Sequence, residues 1–199
     1  MAYTSLESFK ILLKSKTILM ETAKIQADWS QLSYTPNEAE IRTAALLASE
    51  GHLTAVEYLN IKNIDTTDIP LDQLKKLTSI VTSDVILGNV TPSHYLSSII
   101  SSVKSQGLWL HNMDLSEADT VNLVIAMMDR VQMVKLGDVT LDIEELTMYQ
   151  GDGRCRELHL GGYTRLRYGG RIKKWAADKG WSPTRDSGFV LIMKRTYHF

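Results

Sequence analysis

The chain has 199 residues, 44% of them hydrophobic, with a formal net charge of −1. That is enough apolar material for one domain or one short repeat array, and it excludes a compositionally disordered chain. A single cysteine, Cys155, excludes an intramolecular disulfide framework and suits a reducing compartment, so a cytoplasmic location is expected.

The apolar stretch from Phe9 to Met20 is interrupted by Lys10, Lys14 and Lys16, so neither a secretory segment nor a membrane span is expected. The near-zero net charge hides an asymmetry. Residues 151–199 carry 11 Lys and Arg against 4 Asp and Glu, and residues 1–150 carry 11 against 19. The basic end reads either as a solvated end cap or as a surface for an acidic partner.

In chain order, residues 4–28 read as a helix. Leu6, Phe9, Leu13, Met20 and Ile25 could cover the exposed edge of the next unit in the chain. Pro36 interrupts the chain, and Ile41, Ala44, Ala45 and Leu47 mark a second helix over 38–50. A short phrase then recurs as LNIKNI (59–64), VILGNV (85–90), LWLHNM (108–113), VKLGDV (134–139) and LHLGGY (158–163). Its start-to-start spacings are 26, 23, 26 and 24 residues. Each phrase alternates apolar residues as a strand does, and each is followed by a helical stripe. The stripes run through Leu71, Leu74 and Leu77, then Leu96, Ile99, Ile100 and Val103. A third, capped by Ser116 with acidic Glu117 and Asp119, runs through Val121, Leu123, Val124, Met127 and Met128. Short stripes at 142–146 and at Ile172, Trp175 and Ala176 complete the series, the last ended by Gly180. Residues 181–185 and 189–194 read as a closing hairpin around Asp186-Ser187-Gly188. The glycine pairs 161–162 and 169–170, like Gly151 and Gly153, read as turn or close-packing positions.

The five phrases with helices between them resemble leucine-rich repeats, with a helical outer side similar to the ribonuclease-inhibitor type. The stretch from Leu108 to Val139 is similar in texture to the C-terminal repeats of nucleotide-binding oligomerisation-domain receptors of innate immunity. No G-x-x-x-x-G-K-[ST] phosphate loop is present, so the chain is not a whole receptor of that kind. An Asn or Asp stands one place before the consensus Asn, at Asn63, Asn89, Asn112 and Asp138. The consensus position itself holds Ile64, Val90, Met113, Val139 and Tyr163.

The resemblance implies an α/β fold: a short right-handed leucine-rich-repeat solenoid with a parallel concave sheet and convex helices. The expected division is a helical N-terminal cap (1–52), about five leucine-rich repeats (53–180) and a C-terminal capping hairpin (181–199).

The residue between the two apolar strand positions points away from the core: Asn60, Ile86, Trp109, Lys135 and His159. With His111 these residues are expected to form a protein-binding patch, with Ile86, Trp109, Lys135 and His159 at its centre. The competing reading is that a terminal segment covers this face, or that Lys135 stacks on Trp109 as a cation–π pair. Arg165, Arg167, Arg171, Lys173 and Lys174 form a candidate basic patch for an acidic polymer or nucleic acid.

No metal, cofactor or catalytic residue is expected. His111 and His159 lie roughly 10 Å apart by strand spacing, too far to share an ion. Cys155 has no His beside it in sequence and reads as a small core residue. The expected function is therefore a non-enzymatic protein-protein interaction module, such as the ligand-sensing or regulatory repeat region of an innate immune receptor. The alternative is a binder of acidic polymer through the basic end.

Overall fold

A computed structural model describes residues 35–91, 94–116, 122, 125–148 and 153–195. Seven strands form a single sheet: β1 (Tyr58–Asp65), β2 (Asp84–Thr91), β3 (Gly107–Leu115), β4 (Met133–Leu141), β5 (Glu157–Gly161), β6 (Trp181–Asp186) and β7 (Val190–Arg195). Their order is β1-β2-β3-β4-β5-β7-β6. The first five are parallel and follow chain order, and β7 then joins β5 antiparallel. The recurring phrases are the five parallel strands, and the expected hairpin extends their sheet.

Five helices are described: α1 (Glu38–Ser49), α2 (Leu71–Thr78), α3 (His94–Ser102), α4 (Ile143–Met148) and α5 (Gly162–Asp178). Helix α1 begins with a capping box, in which Asn37 and Glu40 exchange side-chain-to-backbone hydrogen bonds of 3.0 and 2.8 Å. Residues 125–128 are also helical. The expected cap helix over 4–28 lies outside the described residues, as do Glu117, Asp119, Val121, Leu123 and Val124.

The core runs without a break from Ile41 to Met193. Paired rows of strand residues form its floor: Leu59, Val85, Leu108, Val134 and Leu158, then Ile61, Leu87, Leu110, Leu136 and Leu160. All ten are at most 1% exposed. Helix residues such as Leu74, Leu77, Ile99, Ile100 and Ile172 pack on them from one side. Each fully buried aliphatic side chain contributes about 1.5–3 kcal/mol relative to exposure.

The displaced Asn has a backbone cause. Asn63, Asn89, Asn112 and Asp138 have φ of 53°, 46°, 50° and 53°, in the left-handed region. Asn and Asp enter that region at lower cost than other residues with a side chain. A left-handed residue inside a strand breaks the two-residue alternation, so the next residue turns inward. Hence Leu59, Ile61 and then Ile64 all face the core, although a regular strand would bury residue 63. Because β1 and β2 make the same step, pairing resumes beyond it at Ile64 and Val90.

The fifth unit departs from expectation. Gly162 takes the left-handed place with φ 53°, but the chain then enters helix α5 instead of continuing the strand. Tyr163, at the position where Ile64, Val90 and Val139 are buried, is 48% exposed. Strand β4 therefore outlasts its neighbour, and two side chains of α5 replace the missing backbone. Thr164 Oγ1 accepts from the Val139 N–H at 2.6 Å and donates to the Val139 carbonyl at 3.0 Å. One helical turn on, the Tyr168 hydroxyl accepts from the Leu141 N–H at 3.2 Å. Gly169 and Gly170 are helical rather than turn residues, and Gly169 is buried beneath the Arg165 side chain.

Candidate functional site

The sheet face opposite the described helices carries the candidate residues. Strand register sets Asn60, Ile86, Trp109, Lys135, His159 and Ile192 in one continuous row. His111 lies in the next row, opposite Gly88 and Gly137. The alternation argument therefore places these residues together, at about 4.8 Å per strand.

Their exposure differs from expectation at one end. Ile86 is 2% exposed and Asn60 is 3% exposed, so neither offers an open surface. Asn60 Nδ2 donates to Thr35 Oγ1 at 3.1 Å, which brings the chain before α1 against this end of the row. The accessible part of the row is Trp109, Lys135 and His159, all half-buried.

Lys135 Nζ stands 3.4 Å from the centre of the Trp109 ring, so a cation–π pair is present. Burial pulls the Lys135 ammonium below its ordinary range, while Asp84 and Glu157 pull it back up. Asp84 is the reciprocal case. Burial raises its carboxyl, and Lys135 and the Trp109 indole oppose that rise. The buried indole N–H faces this carboxylate without closing a hydrogen bond of good geometry. The Asp84 side chain lies directly over Gly107, where any Cβ would collide with its carboxylate.

On the other side of Lys135, Glu157 accepts from Lys194 Nζ at 2.6 Å and from His159 Nε2 at 3.0 Å. Lys194, then His159, hold the Glu157 carboxyl below its usual range. Burial, more than any neighbour, keeps the His159 imidazole below 6.5 and favours its neutral form. Asp84, Lys135, Glu157 and Lys194 thus alternate in sign across the face, with the Trp109 ring against the first two. Asp84, Glu157 and Lys194 were not singled out in the sequence, although Asp84 and Glu157 each stand directly before a repeat phrase, an outward position by the same alternation.

His111 Nδ1 donates to the Gly137 carbonyl at 3.1 Å and lies 3.8 Å from Asp138 Oδ2. Among the described residues, no three His, Cys, Asp or Glu side chains are placed to hold a metal ion. Cys155 is buried, donates to the Glu157 carbonyl at 3.3 Å, and has its thiol pushed up to about 12 by burial. A thiol so disfavoured as thiolate is a poor nucleophile.

The five basic-patch residues all fall on α5, but internal partners engage most of them. Arg165 and Lys173 share Asp186 at 2.5 and 2.7 Å, and Arg171 meets Glu144 at 2.9 Å. Arg167 donates to the Tyr163 hydroxyl at 2.8 Å and lies over the Tyr163 and Tyr168 rings. Lys174 is exposed. Sequence spacing showed the cations but not the carboxylates brought to them from 13 to 27 residues away.

The fold and this face define an α/β protein with a mostly parallel seven-stranded sheet. No described helix is long and apolar enough to cross a membrane. No family model, no curated protein and no solved structure matches the chain.

Proposed function

We propose that the chain is a leucine-rich-repeat solenoid of the ribonuclease-inhibitor-like type, acting as a non-enzymatic protein-interaction module. Its partner docks across the sheet face at Trp109, Lys135, His159 and His111. The observation that supports this reading is the register that sets Trp109, Lys135 and His159 on three adjacent strands, half-exposed, on the face the described helices leave open. A large aromatic ring beside charges of alternating sign is the composition of a binding hot spot, with apolar area for affinity and fixed charges for partner choice. A ligand-sensing or regulatory repeat region would use such a row in the same way.

Affinity capture from native extract, run in parallel with the wild-type chain and with Trp109→Ala and Lys135→Glu, tests it. The expected result is one protein retained by the wild type and lost by both variants, each of which still melts cooperatively. The purified partner should then bind Trp109→Ala at least tenfold more weakly. Equal retention by folded variants overturns the proposal.

A further inference from the structure

We propose that a cavity at the edge where the parallel strands begin binds a ligand carrying a diphosphate group. The cavity has a volume of about 500 Å³, within the range of small-molecule sites. Among the described residues, Lys104, Arg130, Arg154 and Arg156 line it, with Asp129 as the one carboxylate. The amides of Gln106 and Gln132 complete the wall and add hydrogen-bonding groups.

The arrangement repeats. Lys104 stands three residues before β3, Arg130 three before β4, and Arg154 three before β5. The first residues of these strands, Gly107, Met133 and Glu157, are paired in register. Three successive units therefore present a cation in the same slot, one strand spacing apart. The equivalent residue before β2 is Val81, so the cationic run is confined to the wall of the cavity.

These cations differ from Arg165, Arg171 and Lys173 on α5, which are held by Asp186 and Glu144. Among the described residues, Lys104, Arg130 and Arg154 form no ion pair. Arg130 is oriented by a 2.7 Å hydrogen bond from Nη1 to the Ser101 carbonyl. Like charges in adjacent strands repel, and an anion seated between them relieves that repulsion. Lys104, Arg130 and Arg154 stand in three successive slots, which leaves two gaps between neighbouring cations. A single phosphate fills one such gap, whereas two linked phosphates place an anion in each. Arginine forks and a lysine point charge are the groups that recognise such oxygens.

Isothermal titration calorimetry of the full chain with inorganic pyrophosphate, and separately with ADP, tests this. The expected result is saturable one-to-one binding that weakens as salt is raised, with the two ligands competing. The tighter of the two identifies the source of the diphosphate as free or esterified. The double variant Lys104→Gln/Arg154→Gln, exposed at both positions and checked by its thermal melt, should bind at least tenfold more weakly. Lys174→Gln, outside the cavity, should bind as the wild type does. Absence of saturable binding, unchanged affinity in the double variant, or an equal loss in Lys174→Gln overturns the proposal. None of these outcomes depends on whether the sheet face binds a protein.

Discussion

Lys135 and Trp109 sit opposite one another on neighbouring strands, with the ammonium 3.4 Å from the centre of the indole ring. The contact is held from both flanks, since Asp84 and Glu157 each attract the same ammonium. Neither the ring nor the charge is free to adopt another rotamer without losing the other. The central pair of the open row is therefore organised before any partner arrives, which lowers the ordering cost of binding.

The backbone step at the displaced Asn is expected to show in stability. Asn89→Ala forces an ordinary side chain into a left-handed conformation and should cost about 1–2 kcal/mol. Asn89→Gly, which meets no such restriction, should cost less. Urea denaturation of both variants measures the difference. An alanine variant more stable than the glycine variant would contradict the left-handed assignment. The hydrogen bond from Asn89 Nδ2 to Asn63 Oδ1 at 3.2 Å is lost in both and cancels in the comparison.

The register of the strands has its own test. Leu110 is 1% exposed between Leu87 and Leu136. Leu110→Asp places an unpaired carboxylate in that row and should cost several kcal/mol, enough to unfold a domain of ordinary stability. Circular dichroism should show loss of the cooperative melt. A melt unchanged from the wild type would mean that residue 110 does not face the core.

At the junction of β4 and α5, Thr164→Val keeps the volume but removes both hydrogen bonds to Val139. Leaving a buried N–H and a buried carbonyl unpaired should cost about 2–4 kcal/mol. Tyr168→Phe removes one bond, to the Leu141 N–H, and should cost about 1–2 kcal/mol. Chemical denaturation reads both. The order of the two effects is the informative part, and a larger loss in Tyr168→Phe would count against the junction as described.

The Glu157 cluster predicts two pH windows. Its carboxyl is held below 4.5 in the folded chain, so its contribution to stability is complete above 4.5 and is lost as pH falls through the lower folded value. His159 is held below 6.5 by burial. The unfolded chain therefore takes up this proton first, and stability falls as pH drops below 6.5 until the folded imidazole also protonates. Urea midpoints across pH 3–7.5, about the span of these titrations, should flatten at the acid end in Glu157→Gln. In His159→Gln they should flatten just below neutrality. Wild-type slopes retained in both variants would show that neither group is perturbed by folding.

Much of the fold was legible from period and alternation. The five phrases are the five parallel strands, and the stripe at Leu71, Leu74 and Leu77 lies on a helix whose residues Leu74 and Leu77 are fully buried. The row from Asn60 to His159 comes from the same alternation. Three things were not legible, each for a physical reason. Alternation states which way a side chain points but not what lies over it, so the burial of Asn60 and Ile86 was hidden. LHLGGY shares its apolar spacing with the other phrases. Thr164 and Tyr168 bond the β4 backbone where the chain turns into a helix, and that pairing depends on three-dimensional neighbours. The α5 cations looked available because their carboxylate partners are distant in sequence.

The left-handed step has a further consequence for how such a chain can change length. Asn63 with Asn89, and Asn112 with Asp138, act as teeth on a ratchet, each pair engaging where its two strands make the step together. Slipping a strand by one residue would drive Ile64 or Val90, both β-branched, into a backbone conformation they adopt only at high cost. A change of length that keeps the paired steps aligned is therefore one that preserves the spacing between them, 26 residues from Asn63 to Asn89 and from Asn112 to Asp138.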